Sequence, residues 1–316
     1  MTSSATKWTA GDLPDMAGRT VIVTGANSGI GRAAAKAFAA KGAAVTLAVR
    51  DAAKGEAAAA EMPGGAVYVR PLDLTSLASV RGFAADWRGD IDVLVNNAGV
   101  MATPERRTAD GFELQIGTNH LGHFALTNLL LPQIRERVVT VSSTGHRVGE
   151  IHLDDLNWER RPYHSWRAYG QSKLANLLFT TELQRRLADA GSPVRAMAVH
   201  PGYSATNLQS RTGSGLMNVL GAVGNRIFAQ SEEMGALPTL YAATQDLPGD
   251  SFVGPDGFQQ QRGHPTLVGR SSAAQDRVMA RGLWELSETL TGVTFPLHQD
   301  ATAAPGSAPG QPAAAA

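Results

Sequence analysis

A tyrosine and a lysine four residues apart, Tyr169 and Lys173, form a candidate catalytic pair in this chain of 316 residues. They begin a stretch in which leucines recur at helical spacing, so both side chains would lie on one helix face, with Cβ atoms about 5–6 Å apart. A phenol with a pKa near ~10 is a poor base at neutral pH, but a nearby ammonium favours the phenolate and lowers that pKa. The pair is therefore predicted to transfer a proton, although an isolated pair of this kind is more often a surface contact.

A glycine-rich turn follows the first apolar run, over residues 24–31 (TGANSGIG), and leads directly into a helical stretch. Gly25 allows a tight turn, Gly29 lets the backbone approach a pyrophosphate, and Gly31 permits close packing of helix on strand. The free N–H groups and positive dipole end of that helix would bind the diphosphate. A turn that only needs a positive φ explains one glycine, but not three at these offsets. The predicted cofactor site also includes the residues between them, Asn27, Ser28 and Ile30.

Between the glycine-rich turn and the Tyr169–Lys173 pair, short apolar runs alternate with longer stretches rich in alanine and leucine. The apolar runs are almost continuous, which is typical of a parallel sheet covered on both faces. The predicted strands are 20–24, 44–49, 66–70, 91–95, 138–142 and 194–199, and the predicted helices are 30–41, 52–61, 77–87, 111–133 and 169–190. Their alternation predicts an α/β fold with a doubly wound parallel sheet and right-handed crossovers.

The composition excludes several classes of function. Lys and Arg (28) balance Asp and Glu (28), so a dominant role in nucleic-acid binding is not expected. The absence of cysteine excludes disulfides, thiolate catalysis and cysteine-bound metals. No apolar run approaches the ~18 residues that span a bilayer, and the N-terminus has no signal-peptide core, so we expect a cytoplasmic protein without a membrane span.

Several motifs together resemble those of the short-chain dehydrogenase/reductase family. They are the turn at 24–31, the run 96–99 (NNAG) after the fourth strand, and the run 169–173 (YGQSK). Residues 118–124 (TNHLGHF) and 172–176 (SKLAN) are similar, more narrowly, to the retinol-dehydrogenase-like branch. The resemblance spans roughly residues 15–295. It implies a Rossmann-type sheet in three α/β/α layers and a nicotinamide cofactor. The chain is expected to consist of an N-terminal arm at 1–17, a single domain at 18–298 and a low-complexity tail at 299–316, which should be disordered because it has no large apolar group to bury.

The resemblance also implies catalytic roles. Tyr169 would exchange the proton, while Lys173 would bind the nicotinamide ribose and tune Tyr169. Ser143 would polarise the substrate carbonyl, and Asn119 would complete the tetrad. Asn is a poor helix former, so a local kink that holds a water for proton relay would explain Asn119 within a helix. One sequence leaves open whether Ser142 or Ser143 is the active hydroxyl, and the offset in the family pattern favours Ser143.

Further positions would contact the rest of the cofactor. By resemblance, Asp73 would contact the adenine ring, and Pro201 and Gly202, followed by Thr206, would hold the nicotinamide carboxamide. Asp73 could instead cap the helix that follows it, and Pro-Gly is a common turn. The other implied cofactor contacts are Leu74, Asn97, Ala98 and Gly99.

The end of the second strand decides between NAD(H) and NADP(H). An acidic residue there would bind the ribose 2′-hydroxyl, but this chain has Val49 followed by Arg50. Arginine can pair bidentately with a 2′-phosphate, so NADP(H) is favoured and NAD(H) is possible. Asp51 complicates this prediction, because it could neutralise Arg50.

The histidines are weaker candidates. His120 and His123 have the i, i+3 spacing of metal ligands, but no third ligand lies nearby, so we interpret them as core side chains and predict no metal. Three more histidines share a loop with several arginines, and we interpret that loop as a solvated surface: His146, His152 and His164.

Two long segments follow strand ends, where ligands bind in open α/β sheets. Residues 203–232 combine glycines with apolar side chains and are predicted to form a mobile lid, with Tyr203 and Met217 as substrate contacts beside Ser143. An ordinary helix packed on the core is the alternative. Residues 145–168 would add Trp158, Tyr163 and Trp166, so the substrate is predicted to be a hydrophobic carbonyl or alcohol. The helices at 111–133 and 169–190 form the dimer face in many family members, which implies a homodimer or homotetramer.

The sequence therefore predicts an NADP(H)-dependent carbonyl reductase or alcohol dehydrogenase. The alternative is a sensor or scaffold that has the same fold and binds the cofactor but catalyses no reaction. The intact set of Ser143, Tyr169 and Lys173 argues against that alternative, because a sensor needs no such set.

Overall fold

One sheet of eight strands organises the computed structural model, which describes residues 7–202 and 231–297. The strand order is β3-β2-β1-β4-β5-β6-β7-β8, with β7 and β8 antiparallel and all other neighbours parallel. The strands are β1 Thr20–Thr24, β2 Ala44–Val49, β3 Val67–Pro71, β4 Ile91–Asn96, β5 Ile134–Val141, β6 Arg195–Val199, β7 Phe252–Pro255 and β8 Pro265–Leu267.

Helices cover both faces of this sheet. On one face α1 and α7 pack together, and on the other α3 packs on α5 and α8 packs on α6. The helices are α1 Gly29–Ala40, α2 Ala52–Ala59, α3 Leu77–Ala85, α4 Leu114–Ile116, α5 Gly122–Leu130, α6 Ser165–Asp189, α7 Glu232–Thr244 and α8 Arg277–Thr291. The predicted doubly wound, three-layer α/β/α fold is confirmed.

The order of the strands places a crevice between β1 and β4. The chain winds outward from β1 through β2 to β3, then returns to the centre and winds the other way from β4. In open α/β sheets, ligands bind at this point of reversal, outside the carboxyl ends of the strands. The glycine-rich turn after β1 and the NNAG run after β4 both lie there.

Helix α8 covers the outer side of α5 and α6. The indole of Trp284 stacks on Phe179 at 5.7 Å and meets the edge of Phe124 at 4.8 Å, while the Arg186 guanidinium lies 4.7 Å from the Trp284 ring. The chain's own helix therefore covers part of the expected dimer face. The homodimer or homotetramer stays a prediction.

Several predicted segments fall at the margins of the structure. In the predicted arm, Leu13 and Met16 are buried against the core. The expected tail at 299–316 and most of the predicted lid at 203–232, with Tyr203, Thr206 and Met217, lie outside the described residues; Ser231 caps α7, which starts at the next residue. None of the helices within 7–202 and 231–297 has the length and apolarity needed to cross a bilayer.

Candidate active site

The glycines of the turn between β1 and α1 make close contacts that a side chain would block. Gly25 has a φ of +67°, and a Cβ on it would lie 2.9 Å from the Ala98 Cβ. Gly29 also has a positive φ, of +61°. A Cβ on Gly31 would lie 2.4 Å from the Asn97 Nδ2 and 2.7 Å from the Gly25 carbonyl oxygen. At Gly25 and Gly31 the turn therefore packs on the end of β4 with no room for a side chain, while Gly29 provides the left-handed backbone conformation.

Thr24 joins the end of β1 to the end of β4. Its hydroxyl oxygen accepts the backbone N–H groups of Asn97 and Ala98, both at 2.9 Å, and the Asn97 side-chain amide donates to the Thr24 carbonyl at 2.8 Å. His123 Nε2 lies 2.9 Å from the same hydroxyl. Thr24 was not predicted from the sequence, since the glycines beside it carried the whole signal of that motif.

The N-terminus of α1 is suited to an anion. Ser28 occupies the N-cap position, is exposed and makes no capping hydrogen bond with its side chain, and the first turn holds no acidic residue. The N–H groups at this end of the helix carry its positive partial charge. Together with the glycine-lined turn, this arrangement fits the diphosphate of a dinucleotide.

Arg50 lies at the carboxyl end of β2. Its side chain is exposed and forms no ion pair with any described residue. The neighbouring carboxylate of Asp51 caps α2 by accepting the Lys54 N–H at 3.1 Å, and it pairs with the Lys54 ammonium at 3.0 Å. Asp51 is thus engaged with Lys54, and the alternative in which it neutralises Arg50 is not what the structure shows.

Asp73 shapes the turn after β3. One of its carboxylate oxygens accepts the backbone N–H of Thr75 at 2.9 Å and the Thr75 hydroxyl at 2.7 Å. Ser76 caps α3, so the alternative in which Asp73 caps that helix is wrong. Leu74 is buried, and its carbonyl oxygen would lie 2.6 Å from a Cβ on Gly122, which packs this turn against α5.

The segment after β6 turns sharply at the predicted Pro-Gly pair. Gly202 has a φ of +69°, and its N–H donates to His200 Nδ1 at 3.2 Å. A Cβ on Gly202 would lie 2.4 Å from the Gln261 carbonyl oxygen, so glycine is required both for the conformation and for the space. The turn begins at Pro201 and lies at the same edge of the sheet as the other motifs.

Tyr169 and Lys173 lie near the start of α6, as predicted. Ser143, two residues after β5, lies beside the Tyr169 side chain, since a Cβ on Gly145 would meet both the Tyr169 Cε1, at 3.1 Å, and the Ser143 Oγ, at 3.4 Å. The Lys173 ammonium lies 5.8 Å from the centre of the Tyr169 ring and donates to the Val141 carbonyl at 3.1 Å. A Cβ on Gly99 would lie 3.5 Å from this ammonium and 3.1 Å from the Asn119 Oδ1. The three predicted catalytic side chains are therefore brought together, with Asn119 close by.

The electrostatics of the pair differ from the sequence expectation. Burial raises the pKa of Tyr169 and the hydrogen bond from Ser143 acts in the opposite direction, so the lowering expected from Lys173 is not seen. Burial also lowers the pKa of Lys173 to about 8. The physical reason is shared, because a site shielded from water disfavours both the phenolate and the ammonium.

Asn119 lies in a π-helical turn, Gly117–Leu121, between α4 and α5. The kink expected at this position is thus present, and such turns are frequent at functional sites. The Asn119 side chain accepts the Val100 N–H at 2.8 Å and donates to the Val100 carbonyl and the Ser172 hydroxyl, both at 2.9 Å. Its backbone carbonyl lies 3.1 Å from His123 Nδ1. Asn119 therefore joins the segment after β4 to α6.

The interpretation of His120 and His123 as core side chains is confirmed. Both are buried, and burial lowers their pKa values to about 3 and about 4. Within the described parts of the chain, no three His, Asp or Glu side chains form a group that could hold a metal ion.

The interpretation of His146 as a solvated loop residue is wrong. Its side chain is 1% exposed, and both ring nitrogens have partners. The interpretation holds for His164, which is exposed, and His152 is partly exposed beside Glu150. Sequence spacing gives no signal that separates His146 from the other two.

The aromatic residues of the loop at 145–168 divide between core and surface. Trp158 is buried with the Arg161 guanidinium 3.7 Å from its ring, and Tyr163 is bonded through its hydroxyl to Gln115 at 2.8 Å. Only Trp166 is exposed near the site, with its ring edge-on to that of Tyr169 at 6.2 Å. One of the three predicted aromatic groups is therefore placed to meet a substrate.

Comparison with known proteins agrees with this geometry. The model of the short chain dehydrogenase family matches residues 19–216. Retinol dehydrogenase 13 of Homo sapiens is 43% identical over 309 residues, covering 91% of this chain and 90% of the relative. Polyprenol dehydrogenase of Mus musculus is 41% identical, covering 89% and 86%.

Solved structures give the same result. An uncharacterized protein from Mycobacterium paratuberculosis is 58% identical, with a TM-score of 0.82, and the match covers 92% of this chain and 100% of that one. A short chain dehydrogenase from Burkholderia cenocepacia in complex with NADP shares the fold at a TM-score of 0.60 and 22% identity, covering 75% and 96%. This chain belongs to the short-chain dehydrogenase/reductase family, in its retinol-dehydrogenase-like branch, and is an oxidoreductase that acts on CH–OH groups.

Proposed function

We propose that this chain uses NADP(H) to interconvert a hydrophobic carbonyl compound and its alcohol, with Tyr169 as the general acid or base. The observation that carries the proposal is the placement of Ser143 beside the Tyr169 side chain, with the Lys173 ammonium 5.8 Å from the tyrosine ring. These groups lie at the same edge of the sheet as the glycine-rich turn. A protein that only sensed a cofactor would not need this set of side chains.

The residues at this edge fit the proposed cofactor. Gly25, Gly29 and Gly31 leave the backbone of the turn open, and the N-terminus of α1 would hold the diphosphate. Arg50 would pair with the 2′-phosphate, and Lys173 would bind the nicotinamide ribose. When bound, the nicotinamide supplies or accepts the hydride, and the protein supplies orientation and electrostatics.

The environment of Tyr169 suits it to proton transfer in both directions. Burial raises its pKa, so the phenol is protonated at neutral pH and can donate its proton to a carbonyl oxygen during reduction. The hydrogen bond from Ser143 lowers the pKa of Tyr169, because it stabilises the phenolate that remains after the transfer. The pKa of Lys173, about 8, leaves this side chain mainly as an ammonium at neutral pH, so it can donate hydrogen bonds to the nicotinamide ribose.

The substrate class follows from the surroundings of the site and from the relatives. Trp166 is 53% exposed beside Tyr169 and offers an apolar surface. The relatives cited above are named for retinol and polyprenol, both long and apolar alcohols. We propose a substrate of that kind for this chain.

A series of straight-chain aldehydes of increasing length tests this proposal. With NADPH absorbance as the readout, we expect kcat/KM to rise by up to about fourfold per methylene, since each buried CH₂ contributes up to ~0.8 kcal/mol. Tyr169→Phe gives the background rate. Efficiency that is flat or falls with length would contradict the apolar site, and NADPH binding without turnover of any carbonyl would favour the sensor.

Arg50→Ala tests the choice of cofactor. We expect the Kd of NADP(H) to rise about tenfold, because Arg50 is exposed and a charged hydrogen bond there lies at the low end of ~1.5–3 kcal/mol. The Kd of NAD(H), which has no 2′-phosphate, should change by less than about threefold. Both constants can be measured by titration of the intrinsic fluorescence.

Arg50→Lys is the matched control. It keeps the positive charge and loses the two-pronged geometry, so its Kd for NADP(H) should fall between those of the wild type and Arg50→Ala. The effect of Arg50→Ala should also shrink as salt is added. Equal losses for NAD(H) and NADP(H) would overturn the assignment.

A further inference from the structure

His146 is a buried side chain for which the proposed chemistry has no direct use. It lies on the 3₁₀ turn Thr144–Val148, directly after Ser143 at the end of β5. Only 1% of its surface is exposed. A buried imidazole needs partners for both of its nitrogens, and the identity of those partners indicates what it holds in place.

One partner is the catalytic serine itself. His146 Nδ1 lies 2.7 Å from the Ser143 carbonyl oxygen, and the backbone N–H of His146 donates to the same oxygen at 3.1 Å. On the other side of the ring, Nε2 accepts the Ser271 N–H at 3.2 Å. Since Ser271 can only donate at this atom, the proton of the neutral ring is on Nδ1, which donates to Ser143.

We propose that His146 is a positioning residue, which fixes the main chain of Ser143 so that its hydroxyl stays on Tyr169. This inference rests on the proposed function, because it assigns a task to a side chain behind the Ser143 hydroxyl.

The turn that carries His146 packs tightly against α6. A Cβ on Gly145 would lie 3.1 Å from the Tyr169 Cε1 and 3.4 Å from the Ser143 Oγ. A Cβ on Gly149 would lie 2.2 Å from the Gly170 carbonyl oxygen. With so little free space, a small movement of the turn changes the relation between Ser143 and Tyr169.

The opposite side of the turn is tied to residues 269–271. Besides the His146 bond to Ser271, the Arg147 guanidinium donates to the Gly269 carbonyl at 3.2 Å. The His146 ring also meets the Phe252 ring of β7 edge-on at 5.7 Å. His146 thus links Ser143 to a part of the fold that lies beyond residues 19–216, which the family model matches.

The charges around the ring keep it neutral, as its two hydrogen bonds require. Burial lowers the pKa of His146, and the nearby Arg147 and Arg270 guanidinium groups lower it further, while the bond to Ser143 acts in the opposite direction. Arg270 is itself paired with Asp250 at 2.6 Å, and the His200 imidazole also lies close enough to interact with this ring. A second ring proton would point at the Ser271 N–H and break that bond.

Two substitutions of His146 separate positioning from simple packing. In His146→Asn, the side-chain amide can occupy the place of Nδ1 and still donate to the Ser143 carbonyl. In His146→Leu, the bulk is kept and both hydrogen bonds are lost. We expect kcat to fall about tenfold or more in His146→Leu and by less than about threefold in His146→Asn, with the Kd of NADP(H) unchanged in both.

A double-mutant cycle tests whether the effect passes through Ser143. If it does, His146→Leu in a Ser143→Ala background should cost no further activity, because there is no hydroxyl left to position. The same fold-loss in both backgrounds, or full kcat in His146→Leu with only a lower Tm, would overturn the proposal. If His146→Leu does not fold, His146→Gln replaces it, since its amide can reach Ser271 but not the Ser143 carbonyl.

Crystal structures of the two variants test the inference without turnover. We expect the Ser143 hydroxyl to leave hydrogen-bond distance of the Tyr169 hydroxyl in His146→Leu and to keep it in His146→Asn. An unmoved Ser143 in His146→Leu would refute the positioning role even if the chain turned over no carbonyl. Failure of the proposed function would instead appear as inactivity of the wild type with these structures as expected.

Discussion

Replacement of Tyr169 by phenylalanine is expected to reduce kcat by about 10²–10⁴-fold, the usual contribution of a general acid or base. The substitution removes the hydroxyl that would exchange the proton and keeps the ring that packs against Gly145. The Kd of NADP(H) should stay within about threefold of the wild type. The measurement is steady-state turnover of an apolar aldehyde, with cofactor affinity determined separately by fluorescence titration.

Tyr163→Phe is the matched control for this prediction. It also removes a hydroxyl from a partly buried tyrosine of the same region, one whose hydroxyl is bonded to Gln115 and Glu113 and whose pKa burial raises to about 12. We expect it to lower Tm and to change kcat by no more than a few-fold. If Tyr169→Phe kept more than about a tenth of the activity, another group would have to supply the proton.

The parts of the site that could be predicted from the sequence depend on local geometry. Gly25 and Gly31 were predictable because a sharp turn and a close helix–strand contact admit no Cβ, and such a demand fixes the residue type. The pairing of Tyr169 with Lys173 follows from the helical repeat alone. The kink at Asn119 was predictable for a similar reason, since asparagine is a poor helix former.

Other features depend on contacts between distant parts of the chain. His146 belongs to a polar loop by composition, and it is buried only because residues 269–271 and β7 cover it. The pKa of Tyr169 is raised by burial, a property that spacing along one helix does not contain. Strands β7 and β8 were missed because they have four and three residues with prolines among them, too few for a periodic pattern.

The dependence on contacts between distant parts of the chain also explains why the sequence alone did not decide between Ser142 and Ser143 as the active hydroxyl. Ser142 and Ser143 are adjacent and directly follow β5, so their side chains point to opposite faces of the sheet. The Ser142 hydroxyl is buried and donates to the Lys173 backbone carbonyl at 2.7 Å, inside the contact between β5 and α6. Ser143 is partly exposed, and its hydroxyl oxygen accepts the Gly145 N–H at 3.0 Å and lies on the Tyr169 side of the turn.

These contacts predict opposite results for the two alanine variants. Ser143→Ala should lower kcat by about 10²–10³-fold, because it removes a hydrogen-bond donor from the place where negative charge develops on the substrate oxygen. Its Tm should change little, since Ser143 is only partly buried and loses one capping hydrogen bond, from the Gly145 N–H. Ser142→Ala should keep most of the activity and lose about 1 kcal/mol of unfolding free energy, as is typical for one buried hydrogen bond.

The comparison is informative because each variant is the control for the other: both replace a serine by alanine at the same strand end. The kcat for an apolar aldehyde and the Tm by calorimetry should be measured on both proteins. We expect the lower kcat in Ser143→Ala and the lower Tm in Ser142→Ala. A loss of kcat in Ser142→Ala as large as that in Ser143→Ala would mean that the β5–α6 contact, rather than one hydroxyl, controls the reaction. Full activity in Ser143→Ala would remove Ser143 from the catalytic set and leave Tyr169 without its proposed partner.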